Sequence, residues 1–128
     1  MISAHRRKPD STTGSVSIEA VIMVPLFISV VFVIMQGSLW VHACAVAQAA
    51  AQDGARVGTV VGGDQGDARA LTSAVLTHRH VGQDWKIDTV VTRDGLTVTV
   101  SGEALSIIPG FAPKVSESST MPWEEGRR

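Results

Sequence analysis

The sequence predicts an α+β protein: one long N-terminal helix, a short second helix and a small antiparallel sheet of about three strands. Three observations carry that prediction. An apolar run opens abruptly at Val16 and continues, with few interruptions, to Val41. Alanines then recur every four residues at Ala43, Ala47, Ala51 and Ala55, which extends a helical period past the run. Beyond Gly82, segments such as Leu96-Thr97-Val98-Thr99-Val100-Ser101 alternate apolar with polar residues, the period of a strand with one buried face.

The elements follow in order. Residues 1–14 are polar, hold Arg6, Arg7, Lys8 and Pro9, and read as a basic, disordered stub. Ala20–Val41 is long enough to cross a bilayer, whose core takes about 20 helical residues. Residues 15–41 are therefore assigned to a transmembrane helix, with Trp40 suited to the far interface. Pro25 lies in this span and is assigned no chemistry. No Lys or Arg follows the stub until Arg56, so the excess of positive charge predicts a cytoplasmic N-terminus and an extracytoplasmic C-terminal part. Residues 42–63 continue the helix outside the membrane. Their alanine ridge offers a smooth face for close approach by a neighbour, and Gly58, Gly62 and Gly63 end the helix.

Residues 64–122 form the external domain. Asp67 is the expected cap of a short helix with Ala68, Leu71, Ala74 and Val75 inward. Trp85–Val91 and Leu96–Ser101 flank an Asp94-Gly95 turn and read as a hairpin, and Val115–Met121 supplies a third strand. Residues 123–128 read as a disordered tail.

Composition narrows function. The chain has 128 residues, 11 basic and 12 acidic, and one cysteine, Cys44. Three of the basic residues and one acidic residue lie in the first fourteen. The remainder is acidic on balance, which argues against a nucleic-acid partner. A single cysteine permits no disulfide within the chain. His78 and His80, two apart on a helix, point in different directions and do not suit a shared metal. No phosphate loop or catalytic constellation is present. The sequence therefore predicts a non-enzyme with no cofactor and no metal.

The sharpest motif sits at the membrane boundary: Gly14-Ser15-Val16-Ser17-Ile18-Glu19, followed by the apolar run. A carboxylate inside a membrane helix costs about 3 kcal/mol or more. The motif resembles the type IV prepilin pattern, and the cleavage after Gly14 that this resemblance implies would place a cationic amine on Ser15; a neighbouring subunit's amine could then pair with Glu19 to offset that cost. With Pro25 six residues after Glu19, the Gly54-Ala55-Arg56 element, the alternating Val98-Thr99-Val100, Pro109-Gly110 and the Ser/Thr-rich stretch Val115–Thr120, the chain resembles the TadE-like family of tight-adherence (Tad) pilus systems over about residues 12–122. Ala20 stands where that family usually carries an aromatic residue.

The resemblance implies a pseudopilin or minor pilin that supports assembly of a thin adhesive pilus at the bacterial cell surface. It implies as partners a prepilin peptidase, the Tad secretion platform with its ATPase, and other pilins or pseudopilins met through helix packing in membrane lipid. The alternative is a membrane-anchored binding or sensor module unrelated to pili. Two processing alternatives compete with the anchor: a secretory cut at Ala43-Cys44-Ala45, and lipidation of Cys44. The ordinary reading of Cys44 is a small buried or interfacial helix residue.

Overall fold

The structure, a computed structural model, describes residues 12–125, so Arg6-Arg7-Lys8 of the stub and the last three residues of the tail lie outside the described residues. In chain order the elements are α1 (Thr12–Thr59), α2 (Gln65–Arg79), β1 (Gly82–Val91), β2 (Gly95–Ala104) and β3 (Lys114–Pro122). This is the expected α+β class. The sheet is an antiparallel meander in the order β1-β2-β3. The chain divides into two compact units, Met1–Ile34 and Met35–Arg128.

α1 starts at Thr12, ahead of the stub's expected end. The first four N–H groups of a helix need no partner within it, so Thr12, Thr13 and Gly14 cost little at that position. Within the first unit, Pro25 lies inside the helix, and the Ser29 hydroxyl donates to the Pro25 carbonyl at 2.7 Å.

The second unit is built on the later part of α1. Ala43, Ala47, Ala51 and Ala55, with Ala50 and Val46, are buried in one core with Ala68 and Leu76 of α2, Leu96, Val98, Val100 and Ala104 of β2, and Val115 of β3. Gln52 and Arg56 are exposed on the opposite side. The alanine ridge does admit a close neighbour, but that neighbour is the chain's own α2 and sheet. The reason is geometric: methyl side chains let β2 and α2 approach the helix backbone and share one core with it. Fully burying a Leu or Val side chain is worth about 1.5–3 kcal/mol, so Leu96, Val98 and Val100, each at 0 % exposure, are a large share of what holds the unit together.

Two glycines of α1 set the closest approaches. A Cβ at Gly54 would fall 2.0 Å from Thr72 Oγ1 and 2.9 Å from the Ala68 carbonyl oxygen. One at Gly58 would fall 2.3 Å from Leu96 Cδ2. The buried Thr72 hydroxyl donates to the Ala68 carbonyl at 2.7 Å and lies 3.3 Å from that of Ala50.

α2 is capped by Asp64, three residues before the expected cap. Asp64 Oδ1 accepts the Asp67 N–H at 2.9 Å, and Asp67 Oδ2 accepts the Asp64 N–H at 3.2 Å. Asp67 is thus the third residue of a reciprocal capping box. Its buried face is Ala68, Thr72 and Leu76, whereas Ala74 is exposed. The helix ends on His80 in the left-handed conformation, φ 49°. β1 is bulged between Gln83 and Lys86, with Asp84 at φ 53°. The extra residue turns Trp85 inward over Gly102, whose absent side chain leaves room for the ring.

Trp123, expected in the tail, is held instead. Its indole N–H donates to the Thr92 carbonyl at 3.0 Å, and its ring packs against the core. An aromatic body with one polar edge gains from both contacts.

Candidate functional site

The residues singled out by sequence distribute along α1. The backbones of Gly14 and Ser15 lie near the start of the helix. Glu19 follows within the helix and is exposed, as is Ala20. Ile18, Val21, Ile22, Met23, Val24, Leu26, Phe27 and Ile28 are all exposed, and the apolar surface continues through Met35. In a helix rising 1.5 Å per residue, Ile18–Met35 covers about 27 Å, close to the roughly 30 Å hydrocarbon core of a bilayer. Among the described residues this is one helix long and apolar enough to cross a membrane. An apolar surface of that extent is not left in water by a stable monomer.

At Gln36 the environment changes. Gln36 is 4 % exposed, and its amide makes three hydrogen bonds to the β2–β3 loop. Nε2 donates to the Leu105 carbonyl at 3.2 Å. Oε1 accepts the Ile107 N–H at 2.9 Å and the Ser106 hydroxyl at 3.2 Å. In the sequence Gln36 is one of the few interruptions of the apolar run. Its signal was available: a bifunctional amide within an apolar run demands partners. Trp40 remains 43 % exposed, and its indole N–H donates to the Lys114 carbonyl at 3.1 Å. Val41 is exposed.

Cys44 is half-buried. Burial, and after it the adjacent Glu117 carboxylate with its hydrogen bond, push the thiol above its ordinary value. This supports the packed-residue reading of Cys44. A secretory cut at Ala45 would strip Gln36, Trp40 and Ala43 from the second unit, taking one wall of its core with them.

The segment from the glycine of the boundary motif to the arginine of the Gly-Ala-Arg element also carries the likeness to known proteins. Residues 14–56 match the TadE-like protein family. The TadE-like segment is about a third of the chain and lies wholly within α1. It takes in Glu19, Pro25, Gln36 and the alanine ridge, and it stops before α2 and the sheet. No curated protein and no solved structure matches the chain.

Proposed function

We propose that this protein is a single-pass membrane subunit of the TadE-like kind, a pseudopilin or minor pilin that supports assembly of a Tad-type adhesive pilus and has a structural, non-enzymatic role. The observation that carries this reading is the coincidence of the TadE-like match over residues 14–56 with an exposed apolar stretch of helix, Ile18–Met35, that carries Glu19 near its start. In this reading the N-terminus is cytoplasmic, held by the positive stub, and the second unit lies outside the cytoplasm. A prepilin peptidase cuts between Gly14 and Ser15. The Ser15 amine then pairs with Glu19 of a neighbouring subunit as the helices pack side by side. The surface left for that packing is Ile18–Met35, because the alanine ridge is already covered. The secretion platform and the other pilins are the remaining partners.

The mature N-terminus, read by mass spectrometry of the membrane fraction, tests the processing step. Ser15 as first residue is expected. An uncut chain, together with normal piliation in a Glu19→Ala strain, would remove both the cut and the Glu19 pairing, and would leave a membrane-anchored binding or sensor module. Glu19→Ala is expected to insert normally and to lose pili.

A further inference from the structure

We propose that the β2–β3 loop, residues 105–113, is a second membrane contact, seated in the lipid interface beside the point where α1 leaves the bilayer. The inference rests on the membrane reading of α1 and adds a function for a loop outside the TadE-like match.

The loop is Leu-Ser-Ile-Ile-Pro-Gly-Phe-Ala-Pro and holds no charged residue. Leu105, Ile107 and Phe111 are 45 %, 37 % and 50 % exposed. A loop that meets only water seldom presents three large apolar side chains in seven positions. Several of its polar groups are paired within the protein. Ser106 Oγ accepts the Ile108 N–H at 3.1 Å and lies 2.9 Å from the Ile108 carbonyl, which shares the hydroxyl's one proton with Gln36 Oε1. Phe111 N–H donates to the Ile108 carbonyl at 3.2 Å, Leu105 N–H to that of Val81 at 3.1 Å, and Ala104 N–H to that of Pro113 at 2.9 Å. Irregular backbone near hydrocarbon must be satisfied in this way.

Placement names the occupant. The loop is tied to Gln36 by three hydrogen bonds, and Gln36 is the residue directly after the exposed run that ends at Met35. The Lys114 carbonyl at the loop's end receives the Trp40 indole, an interfacial side chain by type. The opposite end of the sheet is polar: Asp64, Arg93, Asp94, Glu124 and Glu125 line one cleft there. Within the second unit an uncharged apolar loop, flanked by Glu103 and Lys114, is thus tied to Gln36 at one end of the sheet while a charged cleft lies at the other, an arrangement in which the loop rather than the cleft suits a lipid interface.

The test uses the full chain in nanodiscs of phosphatidylcholine and phosphatidylglycerol, in a Cys44→Ala background. Single cysteines at Ile28, Phe111 and Asp94 carry a bimane label. Quenching by lipids with a doxyl group near the headgroup end of the chain, for the loop positions, or deep in the chain, for position 28, is compared with quenching by aqueous iodide. The expected result is several-fold stronger doxyl quenching at position 111 than at 94, the reverse order for iodide, and lipid quenching at 28. A label at Leu105 gives the same pattern as 111 and guards against a local effect of Phe111→Cys. If 28 is quenched by lipid while 105 and 111 behave like 94, the loop contact is overturned and the anchor stands; protection of the loop from both quenchers, as by a covering protein subunit, overturns it equally. If 28 escapes lipid quenching, the membrane reading fails and the loop contact falls with it.

Discussion

Gln36 accepts the backbone N–H of Ile107 at 2.9 Å across 71 positions of sequence. The same amide holds the Leu105 carbonyl and the Ser106 hydroxyl, so one side chain fastens the β2–β3 loop to α1. Leucine at this position keeps the volume and removes every bond. Leaving a largely buried donor or acceptor unpaired costs about 1–3 kcal/mol. Gln36→Leu is therefore expected to destabilise the second unit by about that amount, measured by denaturant unfolding of the full chain in detergent with near-ultraviolet dichroism as the probe. Unchanged stability would mean that the loop is held by other contacts.

Gly54 and Gly37 lie in the same helix in opposite circumstances. An alanine methyl at 54 meets Thr72 and the Ala68 backbone, whereas nothing lies within 4 Å of one at 37. Alanine gains up to about 1 kcal/mol over glycine in a helix interior, and overpacking costs about 1–3 kcal/mol. Backbone cannot be moved aside as a flexible side chain can. Gly54→Ala is expected to lower stability by about 1–2 kcal/mol net, and Gly37→Ala to leave it unchanged or slightly raised. Melting temperatures of the two variants, compared in one detergent, check the contrast.

The Cys44 thiol is held neutral, first by burial and then by Glu117. A group whose folded pKa is raised stabilises the fold fully below its unfolded pKa, and loses that contribution as pH rises through the folded value. The thiol's ordinary value is 9.0. Stability is thus expected to be flat in this respect at neutral pH and to decline as pH rises beyond about 9, with the decline reduced in Cys44→Ala. Maleimide labelling gives an independent reading. Cys44 reacts more slowly than an unfolded-chain thiol at pH 8, and Glu117→Gln, which removes the negative neighbour, speeds the reaction.

Much of the fold was legible because it rests on periodicity. Strict alternation through Leu96–Ser101 placed β2, and Asp94-Gly95 placed the turn before it. The four-residue alanine repeat placed a helix, but not what would cover it, since small residues suit a neighbouring subunit and a neighbouring strand equally well. The cap of α2 was misplaced because Asp64 and Asp67 are both good capping residues, and their reciprocal bonds decide which one leads. Gln36 and the β2–β3 loop were missed for a different reason. The Gln36 amide signals that partners are needed, but the pairing joins residues far apart in sequence, and no local pattern says which they are. Of the candidate site, the apolar extent of α1 is readable from composition; the change at Gln36 from exposed apolar helix to helix packed in the second unit is not.

The burial of the alanine ridge has a consequence for biogenesis. The buried face of β2 shares its core with α2, Val115 of β3 and the part of α1 that follows Gln36. In the membrane reading, that part clears the bilayer only after the upstream segment has become lodged. Insertion must then come before folding, and the meander closes last, onto a template already standing in place. A chain that missed the membrane would keep its hydrophobic stem in search of cover beside a core that closes on its own ridge, so in that reading the anchor decides where the core folds.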